Sequence, residues 1–236
     1  MIKEAIEKIR ELSLQSAAVV IEEIDGRKYT TQSLKAVDPP IVSSLKIHSL
    51  TGIVDFILAG NTEDGSMIHI FDHDTVYVYA PIEEVSQKRP CYIEATAQYP
   101  NFRFGHYYDL EEFIISLQSK FAPDDNCQTV LKFVSSISHD QSAGFEDDGV
   151  TQKVSVKKGI TQLQQQTVPS PVVLRPYRTF SEVEQPASSF ILRVMAKKDQ
   201  TPYCALFGAD GGAWKAEARN NIKEWLSETI EIPIIA

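Results

Sequence analysis

Apolar side chains return every three or four positions at the start of the chain, at Ile2, Ala5, Ile6, Ile9 and Leu12, with Lys3, Glu4, Glu7, Lys8 and Glu11 between them. That spacing predicts an amphipathic helix over 2–14. From Ala17 to Ile24 the run turns β-branched and meets Asp25-Gly26, a turn pair that predicts a hairpin returning through 28–31. Pro39-Pro40 then breaks the chain. We therefore divide it into residues 1–38, an N-terminal helix and hairpin forming an arm or small subdomain, and residues 41–236, the main domain.

Helical spacing reappears at Leu50, Ile53, Val54, Ile57 and Leu58, with Ser49 placed to cap the start. Alternation follows at Ile68–Phe71 and Thr75–Tyr79 around the polar turn Asp72-His73-Asp74, and again from Cys91 to Gln98. These three segments predict an antiparallel meander. Leu110, Phe113, Ile114, Leu117 and Phe121 predict a helix begun by Asp109 with Glu112. Val130, Leu131, Val134 and Ile137 predict a second, so the two form a central αα-hairpin.

Residues 139–149 are polar and contain two glycines, which predicts a mobile loop. Strands are expected at 150–157, 171–174, 190–195 and 203–207. A last helix is expected over 213–229, with Trp214, Ala218, Ile222, Trp225 and Leu226 inward. A short apolar strand, 230–235, closes the chain free to pair with a partner. The fold class is α+β, with mostly antiparallel sheet, an N-terminal helix, the central αα-hairpin and a C-terminal helix.

Composition narrows the function. The net charge of −9 disfavours a dedicated nucleic-acid binder, which needs a basic face, and also adhesion to anionic membranes. Cys91, Cys127 and Cys204 lack metal-ligand spacing and read as reduced thiols in a cytoplasm. No apolar run reaches the roughly 20 residues of a membrane span.

Five aromatics crowd 99–108 beside Arg103 and His106. Phe102, Arg103, Phe104, His106, Tyr107 and Tyr108, with Arg175 and Arg178 further on, form the candidate surface for nucleic acid or another partner. Lys157, Lys158 and Arg193 would add to its charge. Packed aromatics and solvated surface charges explain the same residues without function. Gly208, Asp210, Gly211 and Gly212 precede a helix and could cradle an anion, although the P-loop Lys-Ser/Thr and the GxGxxG spacing are both missing. Asp72-His73-Asp74 offers metal-ligand types, but side chains in a tight turn should splay into water, so no metal site is assigned. No catalytic residue and no cofactor is assigned.

Several segments carry a resemblance. They are Thr51-Gly52-Ile53-Val54-Asp55, Arg103-Phe104-Gly105 running into Glu111–Ile115, Asp148–Gln152, Pro171–Phe180, Glu182–Pro186 and Ala209–Trp214. On these the chain resembles the YfdQ-like family of phage and prophage proteins, a family of unknown function. The resemblance implies phage origin and the cytosol of a bacterial host. It implies no reaction and no functional residue. Together with the missing catalytic motif it favours a non-enzymatic protein acting through self-association, as a ring or capsid-like shell. An accessory role in phage DNA replication or recombination, and a nucleotide or small-molecule binder or enzyme, are the alternatives.

Overall fold

A computed structural model describes residues 2–16, 21–24, 27–30, 42–84, 87–137, 146–147, 151–158, 162–195 and 202–236. The chain divides into two compact units, Met1–Ile41 and Val42–Ala236. In the first, α1 spans Ile2–Ser16, and β1 (Ile21–Ile24) pairs antiparallel with β2 (Arg27–Thr30). The expected turn Asp25-Gly26 and the Pro39-Pro40 break lie outside the described residues. Along the apolar stripe of α1, Ile2, Ile6, Ile9 and Leu12 are all more than half exposed among the described residues.

The second unit is built around two cores. Its remaining elements are β3 (Leu45–Ile47), α2 (Leu50–Leu58), β4 (Met67–Asp72), β5 (Thr75–Tyr79), β6 (Cys91–Thr96), β7 (Tyr108–Asp109), α3 (Leu110–Lys120) and α4 (Asp125–Ser136). They continue with β8 (Glu146–Asp147), β9 (Gln152–Lys158), β10 (Gln162–Thr167), β11 (Val172–Leu174), β12 (Ser188–Met195), β13 (Tyr203–Gly208), α5 (Trp214–Ser227) and β14 (Ile234–Ile235).

One core sits on the sheet β14-β4-β5-β6-β3. The meander β4-β5-β6 is antiparallel, and the alternation of its strands drives Ile68, Ile70, Val76, Val78, Ile93 and Ala95 to one face. Leu50, Ile53 and Val54 of α2 and Ile222 and Leu226 of α5 complete this core. Both edge strands pair parallel, β14 with β4 and β3 with β6. The C-terminal strand is therefore shorter than expected and is taken up within the chain, because Ile234 and Ile235 meet Ile68 and His69.

The other core lies between the sheet β11-β12-β13-β7 and the hairpin α3–α4. Asp109 Oδ1 accepts from Glu112 N (2.8 Å) and Asp124 Oδ1 from Cys127 N (2.7 Å), so an aspartate caps each helix. Phe113, Leu117, Phe121, Val130 and Val134 are fully or almost fully buried beneath them. A third sheet, β10-β9-β8, adds Val154 and nearby Val168 to this core. Within the expected loop, Glu146 and Asp147 pair with β9, while 139–145, 148 and 149 lie outside the described residues. The fold is α+β with mostly antiparallel sheets.

Residues 175–186 bind the two cores together. Ala122 N donates to Arg175 O and Tyr177 N to Lys120 O, which fixes one end to α3. Phe180 and Val183 enter the core beneath β4-β5-β6. Glu182 Oε1 accepts from Leu50 N (2.7 Å) and Thr51 N (3.3 Å), and Ser49 Oγ accepts from Gly52 N (3.2 Å). The start of α2 thus has two caps, one of them a carboxylate at the positive end of the helix dipole. Asn221 Nδ2 of α5 donates to Glu184 O.

Candidate functional site

The same connector delivers Arg178 to the interior. Its backbone N–H donates to Gln185 Oε1 (3.0 Å), and Gln185 Nε2 donates to Phe180 O (2.9 Å) and Val183 O (3.3 Å). This buried amide closes the loop and points the Arg178 side chain inward. Arg178 is only 8% exposed, far from the surface position expected of it. Its guanidinium lies over the Trp214 ring, 3.8 Å from the centroid, with Phe190 at 5.9 Å. Nη2 donates to Ser188 Oγ and, at 3.4 Å, to Pro186 O. Ser188 Oγ passes a hydrogen bond of 2.5 Å to Asp210 Oδ2. Nε finds no acceptor among the described residues.

The electrostatics follow from burial. Removal from water pulls the Arg178 guanidinium down to about 10, while the charges of Asp210 and Glu217 resist the fall. Burial opposes ionisation of Asp210, but hydrogen bonds from Ser188 and the Gly212 N–H, with the Arg178 charge, outweigh it. Its carboxyl lies below the usual range. Gly211 (φ 63°) and Gly212 (φ 86°) occupy left-handed backbone, and this conformation accounts for the glycines. Asp210 Oδ1 accepts from Gly212 N (3.1 Å), so the loop expected to cradle an anion holds its own carboxylate.

The turn between β4 and β5 borders this region. His73 turns inward, its side chain 12% exposed, and meets Trp214 edge-on at 4.6 Å. His73 N donates to Asp72 Oδ1 (2.8 Å) and Nδ1 lies 2.9 Å from the same oxygen. Asp74 accepts from Thr75 Oγ1 (3.0 Å) and Tyr99 OH (3.2 Å). The three side chains converge, their ligand-type atoms within 4.8 Å of one another, where the splayed arrangement was expected, and the turn packs against Trp214 of α5 through His73. Burial, and then the nearby Asp74 charge, push the Tyr99 hydroxyl up to about 12.

The aromatic loop divides between core and surface. Phe102 and Tyr108 belong to the core beside Phe113, so they offer no stacking face to a partner. Phe102 fills space against Phe121 at 5.0 Å, and the Tyr108 hydroxyl accepts from Arg103 N (3.0 Å). Gly105 N donates to Leu206 O (2.7 Å), which hooks the loop onto β13. Arg103, Phe104 and His106 are exposed and Tyr107 half-buried. Phe104 lies flat on Phe190, 5.0 Å between centroids and 8° between planes.

Arg175 and Arg178 do not form a basic patch. Arg175 pairs with Glu184 and also donates to Gln185 O, while Arg178 is inside. What the geometry assembles instead is a cleft of about 410 Å³ where Phe104, Arg178, Asp210, Trp214, Lys215 and His73 meet. Sequence reasoning missed Trp214 and Lys215 as members. The one available signal was their place just after the glycine loop.

A second surface emerges on the face of β4 and β5 that no helix or strand among the described residues covers. Cross-strand register lines up Ile235, His69, Tyr77, Glu94 and Lys46 in one row over all five strands. His69, Phe71, Tyr77 and Tyr79 pack ring against ring, with centroids 5.7–6.4 Å apart. Phe71 is 60% and Ile235 49% exposed. No helix among the described residues is long and apolar enough to cross a membrane. No family model, no curated protein and no solved structure matches this chain.

Proposed function

We propose that this is a non-enzymatic protein of a phage or prophage that acts by assembling with copies of itself into a ring or a capsid-like shell. The observation that carries the assembly is the partly exposed aromatic row on β4 and β5. Helices α2 and α5 supply the core on one face of that sheet, and the other face carries exposed Phe71 beside half-buried His69, Tyr77 and Tyr79. An apolar, aromatic sheet face rimmed by Lys46 and Glu94 has the make-up of an interface.

A second copy is the occupant because the chain carries a second, unlike apolar surface, the exposed stripe of α1. Two unlike surfaces on one chain permit a head-to-tail contact, and such a contact closes into a ring or shell when its rotation closes. The phage origin and the bacterial cytosol rest on the resemblance to the YfdQ-like family.

The test is the mass of the full chain in solution, by light scattering after size exclusion. A discrete species many times 26.4 kDa is expected. A monomer at high micromolar concentration overturns the reading.

A further inference from the structure

The cleft at Arg178 has the make-up of a ligand site, independently of any assembly. Arg178 lines the cleft and is 8% exposed, and its Nε, shut off from water, meets no acceptor among the described residues. Asp210 hydrogen-bonds with Ser188, which accepts from Arg178, and its charge also acts on the guanidinium, while its other oxygen accepts from the Gly212 N–H. Asp72 is likewise engaged by His73. Lys215, half exposed, lies 4.0 Å from Asp72 at the mouth. An exposed pair at that distance is worth little, so the ammonium can turn to a better anion.

The walls supply the rest of the specificity. Phe104 is backed by Phe190 and 41% exposed, so its outer face is open to a flat ring. Trp214 also lines the cleft, with the guanidinium over its ring. Tyr99 and Tyr177 add hydroxyls to the lining. The volume suits a small ligand, at the lower end of the roughly 300–1,000 Å³ usual for such sites.

We infer that this cleft binds a mononucleotide-sized ligand, a planar heteroaromatic ring seated between Phe104 and Trp214 with its phosphate directed to Arg178 and Lys215. A fatty acid lacks the flat ring, and a neutral nucleoside lacks the anion for Arg178 and Lys215.

The chain has two tryptophans, so the full-length Trp225→Phe variant leaves Trp214 as the only indole. Its fluorescence is titrated with the ribonucleoside and deoxyribonucleoside monophosphates, with the parent nucleosides and with inorganic phosphate. Saturable quenching by at least one monophosphate is expected below about 1 mM, with the nucleoside at least about tenfold weaker. Lys215→Ala is expected to weaken the monophosphate about tenfold and Phe104→Ala to remove quenching. Both side chains are exposed, so an unchanged thermal midpoint confirms that each variant is folded. Absence of saturable quenching by every monophosphate overturns the inference. Equal binding of nucleoside and monophosphate, or indifference to both substitutions, overturns it as well.

Discussion

The guanidinium of Arg178 rests 3.8 Å from the centre of the Trp214 ring, and this contact joins the connector 175–186 to the first turn of α5. Stacking of a desolvated cation on an indole contributes about 2 kcal/mol, and hydrogen bonds from a charged donor about 1.5–3 kcal/mol. Lysine keeps the charge but loses the flat fork that stacks while also donating to Ser188 and Pro186. Arg178→Lys is therefore expected to lose about 2–3 kcal/mol of stability, read as a lower urea midpoint with unchanged slope. An unchanged midpoint would show that the stacked geometry contributes nothing.

Gln185 is a second point at which the connector is fixed. Its buried amide satisfies one N–H and two carbonyls of the same loop. Leucine has similar volume and no polar atoms, so Gln185→Leu strands the Arg178 N–H and the Val183 carbonyl inside and leaves Phe180 O with only the long bond from Val183 N (3.5 Å). The expected cost is about 2–4 kcal/mol. Glu182→Gln is expected to cost only about 0.5–1 kcal/mol, since the amide oxygen still caps α2 and only the charge at the helix dipole is lost. Chemical denaturation of both variants checks the ranking, and a reversed order would refute it.

These two residues also show what the sequence could and could not disclose. The caps at Ser49 and Asp109, the meander and the αα-hairpin were legible because each depends on neighbours a few positions apart. The edge strand β3 was not, because three residues carry no period, and the short C-terminal strand was expected but not its parallel pairing with β4, whose residues lie far along the chain. Polar β10, with its four glutamines, shows no alternation of apolar and polar residues. The cleft was legible only in pieces. Arg178, Asp210 and Phe104 were each singled out, but their meeting depends on Gln185 turning Arg178 inward and on the fold bringing Trp214 over it.

The aromatic row on β4 and β5 yields a prediction that separates assembly from folding. Phe71 is 60% exposed, so replacing it by glutamate disturbs little of the chain's own core. A charge in the middle of a dry interface is costly to bury. Phe71→Glu is expected to shift the light-scattering mass to 26.4 kDa while changing the stability of the isolated chain by no more than about 0.5 kcal/mol. Retention of the assembly would place the interface elsewhere.

Thiol reactivity follows from burial. Cys204 lies fully inside the core, and loss of hydration pushes its thiol up to about 12. Burial also raises Cys127 and, to a lesser degree of enclosure, Cys91, where the Glu94 charge adds to the effect. The thiolate is the reactive form, so all three are expected to resist a disulfide reagent at pH 8. Native protein should show slow labelling with Cys91 first, and unfolding in guanidinium should release all three. Rapid labelling of Cys204 in the native state would contradict the packing around β13.

Acid provides the last test, and its direction can be worked out. Hydrogen bonds from the His73 ring and backbone hold Asp72 below 3.8, its ordinary value. Asp210 also lies below 3.8, with the Ser188 and Gly212 hydrogen bonds and the Arg178 charge prevailing over burial. Each carboxyl thus has a lower pKa folded than unfolded. On acidification the unfolded chain takes up protons first, which favours it. The contribution of both groups is complete well above 3.8 and is lost as the pH falls through their folded values. Urea stability should therefore hold from pH 7 to about 5 and then decline steadily toward about 2. Asp72→Asn with Asp210→Asn should start less stable at pH 7 and decline less steeply below about pH 4, since neither amide titrates. Parallel curves for the two proteins below that pH would show that these carboxylates are no better held in the folded chain than in the unfolded one.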